Sequence, residues 1–376
     1  MKTPENNLKE LCLEITDACP MECMHCSGSC DLTSGNTLSL DEIKKIISDF
    51  ICIGGKTLEI SGGEPLMHRN LFEIIKYAKL NGLETVLYTC GTALDEGRKE
   101  SLLTSDLAEN LRNIGLDKII FNLQGATVKG HERITQKEGS FRNVITSIKN
   151  MKSSGCWVGV HFVPMKPNYL DLKGVIGLCH SFGVDEVGLL RFVPQGRGLI
   201  NRKYLELSQE EFRDLIKDII GLKLRYKNPV IRVGRPLNFC PLFCPSITKE
   251  ICDAGITRCG ITPDANVVPC PAFKKLINQN RNFIAGNLKV DSLVDIWRYS
   301  PIWKDFREFD YLKMDEPCKS CEHLHWCQGG CKAQRFFKNN TGNPYSAPDP
   351  LCFAHCSQYE RVEERLVTNQ VAVIPA

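Results

Sequence analysis

Three cysteines near the start of the chain, Cys19, Cys23 and Cys26 in the run CPMECMHC, carry the clearest chemistry. Thiolates are the usual ligands of iron–sulfur clusters, and a four-iron cluster normally takes four of them. A compact C-x3-C-x2-C triplet therefore leaves one iron open to a substrate or cofactor. Cys12 and Cys30 are the nearest further thiols, and both lie outside the compact loop. A zinc site fits the triplet poorly, because structural zinc usually takes two C-x2-C pairs or their equivalent, four ligands in all.

A second candidate is the run Ser61-Gly62-Gly63-Glu64-Pro65. It follows a predicted strand, and parallel sheets expose ligand sites beyond the carboxyl ends of their strands. Glycines there allow close approach of the backbone to a ligand, although GGEP alone is also an ordinary turn.

Taken together, CPMECMHC followed by SGGEP resembles the radical S-adenosylmethionine (SAM) superfamily. The resemblance implies that Cys19, Cys23 and Cys26 hold a 4Fe-4S cluster whose free iron chelates the amino and carboxylate groups of SAM's methionine part. It implies that Gly62, Gly63 and Glu64 meet the methionine amino group and that His25 sits near the adenine. The implied chemistry is reductive cleavage of SAM to a 5'-deoxyadenosyl radical, which abstracts a hydrogen atom from the substrate. Phe121-Asn122-Leu123-Gln124-Gly125 is similar to the family's fourth-strand SLDG segment, which implies Asn122 as a cofactor contact; asparagine and glutamine depart from the serine and aspartate there but can still hydrogen-bond. His161 and Arg191, near the ends of the next two strands, are expected either as cofactor or substrate contacts or as structural hydrogen-bonders. No catalytic acid or base can be named.

The second half holds Cys318-x2-Cys321-x5-Cys327-x3-Cys331, which resembles the SPASM domain that follows many radical SAM barrels. The resemblance implies two further 4Fe-4S clusters, three in all with the first. One would use Cys252, Cys259, Cys270 and Cys331, the other Cys318, Cys321, Cys327 and Cys352. Cys356 is an alternative to Cys352, and Cys240 or Cys244 to Cys259. Fully ligated clusters suit electron transfer rather than substrate chelation.

The elements that must position these groups are legible as well. Short β-branched runs alternate with segments of helical period, the pattern of βα units and a parallel sheet. Strands are predicted over Leu11–Thr16, Thr57–Ser61, Glu84–Tyr88, Lys118–Asn122, Val158–Val163 and Glu186–Phe192. Ser39 with Glu42, and Ser208 with Glu211, mark capping boxes ahead of helices whose apolar stripes belong to the core. The fold class is α/β: a partial (β/α)6 TIM-like barrel over residues 1–200, a helix and linker over 201–250, a small cysteine-rich SPASM domain over 251–356 and a tail over 357–376. The linker itself is placed at Lys227–Pro245, where proline and cysteine gather.

Composition bounds the function. Net charge is +3 with 24% charged residues, which gives no reason to expect nucleic acid or an acidic membrane. The start lacks a signal-peptide core, and no run approaches the roughly 20 apolar residues of a membrane span, so a cytoplasmic protein is expected. Twenty cysteines in a reducing compartment point to metal rather than disulfides. Cys52, Cys90, Cys156 and Cys179, scattered through the middle, read as packing residues.

The implied activity is that of an anaerobic maturase that oxidises a peptide or protein side chain, fed by a flavodoxin- or ferredoxin-type donor. No peptide-recognition segment is expected ahead of the barrel, so a peptide is expected to need direct binding or a carrier. Arg191-Phe192-Val193-Pro194-Gln195-Gly196-Arg197-Gly198 resembles the V-P-x-G-R-G run of the heme-biosynthesis branch, which makes tetrapyrrole side-chain modification the alternative. Its arginines would then pair with propionates, or its glycines simply form a turn. A non-catalytic iron–sulfur electron carrier or sensor is the alternative of another class, and an open iron beside GGEP argues against it.

Overall fold

The structure, a computed structural model, describes residues 7–94, 99–234, 252–275, 277–278, 281–338 and 345–353. The first half alternates β1 (Glu10–Thr16), α1 (Leu40–Cys52), β2 (Thr57–Gly62), α2 (Leu71–Leu80), β3 (Glu84–Thr89), α3 (Ser105–Asn113) and β4 (Lys118–Asn122). It continues with α4 (Val128–Thr135), α5 (Ser140–Ser153), β5 (Trp157–Phe162), α6 (Leu172–Ser181), β6 (Glu186–Leu189), α7 (Gln209–Arg225) and β7 (Val230–Val233). The second half adds β8 (Arg258–Ile261), β9 (Asn266–Val268), β10 (Gly286–Asn287), α8 (Leu293–Tyr299) and α9 (Lys332–Lys338).

These strands form one open sheet in the order β10-β9-β8-β1-β2-β3-β4-β5-β6-β7. Every pairing from β8 round to β7 is parallel, whereas β9 and β10 add antiparallel at one edge. The α/β class and the partial barrel agree with the sequence pattern, and both predicted capping boxes form, at Ser39 and at Ser208.

Two features of the sheet differ from expectation. β7 arises inside the stretch read as linker, where VIRV is too short and too polar to register as a strand. β8 comes from the cysteine-rich half, yet pairs with β1 through Glu10↔Arg258, Leu11↔Cys259 and Leu13↔Ile261. The second half thus extends the barrel sheet itself.

Strand alternation divides the residues between two environments. Leu11, Leu13, Leu58, Ile60, Ile119, Val158 and Val160 are fully buried against the surrounding helices. Cys12, Glu59, Tyr88, Asn122 and His161 face the barrel interior instead.

At the amino-terminal ends of the strands a carboxylate device occurs twice. Asp117, just before β4, accepts Lys79 Nζ from the end of α2 at 2.7 Å and the Thr85 amide of β3 at 2.7 Å. Asp185, just before β6, accepts Lys152 Nζ from the end of α5 at 2.8 Å and the Val158 amide at 2.7 Å. Each carboxylate locks a helix terminus to two strands.

Burial pushes the Asp117 carboxyl up, but the Lys79 ammonium and the Thr85 donors outweigh it and hold it below its ordinary value. A depressed carboxylate stabilises the fold above its unfolded pKa of about 3.9 and loses that contribution as pH falls through the folded value. Asp117→Ala is therefore expected to lower stability by about 1–2 kcal/mol at neutral pH, measured by denaturant unfolding. The gap between variant and wild type should narrow as pH falls through the depressed folded-state value, below the ordinary carboxylate range.

Candidate functional site

A cavity of about 400 Å³ opens beyond the carboxyl ends of the barrel strands, within the size range of small-molecule sites. Cys19, Cys23, His25 and Cys26 reach it from the loop after β1, Gly62 and Gly63 from the turn after β2, and Asn122 and His161 from the ends of β4 and β5. His25 Nδ1 is buried without a hydrogen-bond partner, as a polar ligand in the cavity would require. Burial, with the Arg197 cation second, lowers the His25 pKa to about 4, so the ring is neutral near pH 7.

The three thiols pack in one small apolar group with Met21, Cys30 and Cys90. Burial raises Cys19 well above its ordinary pKa and Cys23 to about 12. Cys26 moves down, first because the Cys30 thiol hydrogen-bonds to it, with Lys274 and Arg197 assisting against burial. Iron would supply the positive charge that keeps such buried sulfurs ionised. Among the described residues no three histidine, cysteine, aspartate or glutamate side chains converge on a single metal ion. A four-iron cluster takes its thiolates on separate irons, so this donor set fits such a cluster better than a lone ion.

The SGGEP turn is built differently from expectation. A Cβ on Gly62 would collide with the Thr16 carbonyl, and one on Gly63 with that of Ala18. The two glycines are required because the chain after β2 lies directly on the chain after β1, bonded through Gly63 N to Thr16 O at 2.7 Å and Glu64 N to Ala18 O at 2.8 Å. Glu64 is fully buried and is not among the groups lining the cavity. Its carboxylate accepts the Leu66 amide at 3.0 Å, the Thr89 hydroxyl at 2.7 Å and the Cys90 amide at 2.7 Å, tying the turn to the end of β3. Gln124 is likewise fully buried, and its side chain joins Asn122 Oδ1 to the Val163 amide.

The VPQGRG run forms the outer wall of the cysteine loop. Arg197 donates to the carbonyls of Cys23 at 3.1 Å and Cys30 at 2.6 Å, and Asn201 donates to that of Met24 at 3.1 Å. Gly196, at φ +52, has no room for a Cβ beside Ser27 and Ser29. Arg197 therefore braces the loop from behind.

Several cavity residues escaped sequence reasoning. On the barrel floor Tyr88 donates to Glu59 at 3.1 Å and its ring lies 5.1 Å from that of His161. Arg258 pairs with Glu59, and Arg232 with Glu186 at 2.8 Å. Lys274 reaches the cavity beside Cys26 and Cys30 and pairs with Glu14 at 2.6 Å. Burial, then Arg232 and Arg258, lowers the His161 pKa to about 3, which leaves it a neutral partner. Polar residues at every second position, Cys12 and Glu14 or Glu59 and Ser61, were the available signal for an interior face. Nothing in the sequence marked Arg258 or Lys274, which enter from the second half. Of the scattered cysteines, Cys156 and Cys179 are core, whereas Cys90 lines the cavity and Cys52 is exposed.

In the second half, Cys252 and Cys270 pack against an apolar group that contains Cys331. Cys318 and Cys321 share another group, while Cys327 lies within electrostatic reach of Cys352 and Cys318. Cys259 is not brought to the first trio. On β8 it pairs with Leu11, and alternation turns it to the outer helical layer beside Arg307, fully buried. Its alternatives Cys240 and Cys244 lie outside the described residues, as does Cys356.

Arg191 does not line the cavity. Its guanidinium forms a bidentate pair with Asp349, at 2.5 and 2.7 Å, with side-chain exposures of 3% and 1%. Asp349 also accepts the amides of Cys331 at 2.9 Å and Leu351 at 3.0 Å. One carboxylate thus fastens two cysteine-bearing loops to the end of β6. Breaking such a pair from one side strands a buried charge at a cost of about 3–5 kcal/mol, whereas an apolar replacement of both partners is near neutral. Asp349 also serves two amides, so the neutral replacement must keep an acceptor, and Arg191→Met should lower the thermal midpoint more than the double variant Arg191→Met/Asp349→Asn. Equal losses would show the pair to be incidental.

Comparison with known proteins bears on this arrangement. Residues 13–173 match the radical SAM superfamily and residues 252–322 the SPASM iron-sulfur cluster-binding domain. The chain is 27% identical to the PqqA peptide cyclase of Gluconobacter oxydans over 368 residues, covering 96% of this chain and 94% of that one. It is 26% identical to the mycofactocin maturase MftC of Mycolicibacterium smegmatis, over 91% of this chain and 82% of that one. It is also 26% identical to the AdoMet-dependent heme synthase of Methanosarcina barkeri, over 90% and 94%. In fold it resembles Streptococcus suis SuiB bound to S-adenosylmethionine, with TM-score 0.70, 18% identity and coverage of 93% and 78%. anSMEcpe with bound AdoMet gives TM-score 0.71 at 14% identity over 97% and 100%.

Proposed function

We propose that this chain, which belongs to the radical SAM superfamily and carries a SPASM domain, is a maturase that oxidises a side chain of a peptide or protein. The observation that carries this reading is the convergence of Cys19, Cys23 and Cys26 with Gly62, Gly63, Asn122 and the unpartnered His25 Nδ1 on one cavity. Cys19, Cys23 and Cys26 would hold an iron–sulfur cluster, and SAM bound there would supply reductive cleavage and hydrogen-atom abstraction.

The chain's own residues hold and shield that chemistry. Arg197 and Asn201 fix the cysteine loop, the paired glycines seat it against the β2 turn, and Glu64 secures that turn to β3. Lys274 places a positive charge beside Cys26 and Cys30. Burial would lower that ammonium's pKa, but Glu14 and the two cysteines raise it instead, so it stays charged. Asn122, His161 and the floor residues Tyr88 and Glu59 offer hydrogen bonds to the cofactor or to the substrate.

In this reading the second half would hold two auxiliary clusters, which would supply an acceptor for the electron removed from the substrate. Cys252, Cys270 and Cys331 serve one of them, and Cys318, Cys321, Cys327 and Cys352 the other. A flavodoxin- or ferredoxin-type protein supplies the reducing electron.

Peptide as the substrate class is supported by the likeness to a peptide cyclase and to a maturase. The heme synthase likeness favours a tetrapyrrole as the second reading. Against it, the two arginines that would meet propionates are engaged elsewhere, Arg191 with Asp349 and Arg197 with backbone carbonyls. Among the described residues no helix is long and apolar enough to cross a membrane.

The test is anaerobic reconstitution with iron, sulfide, dithionite and SAM. Formation of 5'-deoxyadenosine is expected, and its absence from protein with intact clusters would favour a passive electron carrier. Replacing Cys19, Cys23 and Cys26 together by alanine should abolish that product while auxiliary iron stays bound.

Cysteine variants of the second half separate ligands from packing. Cys259→Ala should keep its full iron and sulfide content, whereas Cys252→Ala or Cys270→Ala should lose the iron of one cluster. Iron loss in Cys259→Ala would return that residue to the ligand set.

A further inference from the structure

Arg335 on α9 is completely buried, yet only part of its guanidinium is engaged. Nη1 donates to the Tyr345 carbonyl at 2.7 Å and approaches Met314 Sδ at 3.8 Å, and the Phe309 ring lies 4.9 Å from Cζ. Nε and Nη2 are buried with no hydrogen-bond partner. The neighbouring carboxylate, Asp349, is taken by Arg191 and by two backbone amides. A buried cation with idle donors is costly unless an anion completes it.

Sulfur lies on both sides of this side chain. Its own amide donates to the Cys331 carbonyl at 3.2 Å, so it rises one turn beyond the group formed by Cys331, Cys252 and Cys270. Its side-chain neighbours Met314 and Phe309 pack with Cys318 and Cys321. Cys331, Cys252 and Cys318 all act on its charge, although burial is the largest influence and lowers its pKa. A planar guanidinium with several fixed donors can serve two anionic partners at once, which a lysine cannot match.

We infer that Arg335 is the cation shared by the two auxiliary iron–sulfur clusters, its idle Nε and Nη2 donors meeting their anionic sulfur and setting how readily they accept an electron. The inference rests on reading these cysteines as cluster ligands. A positive charge favours the reduced, more negative form of a cluster, so its removal makes reduction harder.

The experiment uses the anaerobically reconstituted full chain as wild type, Arg335→Met and Arg335→Lys. Iron and sulfide are counted, and each cluster signal is followed by electron paramagnetic resonance during a redox titration. In Arg335→Met the auxiliary signals should titrate at more negative potential. Their reduced-to-oxidised ratio at the wild-type midpoint should fall about tenfold, which is about 59 mV for one electron. Arg335→Lys should shift them less, and the N-terminal cluster should be unmoved in all three.

If Arg335→Met loses an auxiliary cluster outright, the lysine variant decides: a retained cluster with a small negative shift supports the inference. Unchanged auxiliary potentials, equal shifts in both variants, or loss of the cluster from both would overturn it while leaving the ligand assignment standing. Wild-type protein holding iron for the N-terminal cluster alone would instead overturn the ligand assignment, and Arg335's role with it.

Discussion

Strand β1 is bonded along both edges, to β2 on one side and to β8 on the other, and the remaining architecture hangs on that double pairing. Its end delivers the cysteine loop, and the backbone at and just beyond that end accepts hydrogen bonds from the Gly63 and Glu64 amides. Its other edge recruits a strand from the far half of the chain, which brings Arg258 and Lys274 to the same cavity. A parallel strand in the middle of a sheet has no slack in register, because a slip of one residue would exchange Leu11 and Leu13 with Cys12 and Glu14. The positions of the sulfurs are therefore fixed by an apolar alternation several residues away from them.

Much of this was readable from residue order because it is local. A strand that alternates or runs aliphatic, a serine three residues before a glutamate and a compact cysteine triplet each carry their signal within a few positions. The predicted β4 matches over Lys118–Asn122, and both capping boxes form with their reciprocal bonds. What escaped is non-local. Arg191 and Asp349 stand 158 residues apart, and nothing near Arg191 says that its partner is a carboxylate rather than a cofactor. The place of Glu64 beyond a strand's carboxyl end, and the family resemblance, point it at a ligand, but in the fold the neighbouring glycines serve a contact between two backbone segments and the carboxylate accepts from Thr89 and Cys90. Cys259 sits among ligand-like cysteines in sequence, yet a four-residue strand turns it to the opposite face.

Burying sulfur in this quantity creates an electrostatic problem that the overall charge of +3 conceals. A thiol deep in the fold resists ionisation, as the upward displacement of Cys19, Cys23, Cys270 and Cys331 by burial shows. Metal coordination needs the thiolate. The chain answers with buried cations placed beside the sulfurs. Arg197 and Lys274 stand by the N-terminal loop, Lys332 by Cys252 and Cys270, and Arg335 and Arg191 by Cys331.

These cations differ in how they are held, and the difference has a functional sense. Lys274 and Arg191 are locked in direct ion pairs, with Glu14 and Asp349, while Arg197 is fixed by backbone carbonyls. Arg197 thus keeps its full charge beside the cysteine loop, whereas Lys274 and Arg191 share theirs with a carboxylate, and all three are held without freedom to rearrange. Long side chains anchored at both ends also connect elements far apart in sequence, so the charges that suit the sulfurs are the same contacts that hold the two halves together. Removing such a residue disturbs packing and electrostatics at once. That is why charge-conserving and charge-removing substitutions at one position, read by potential rather than by activity, are needed to tell the two apart.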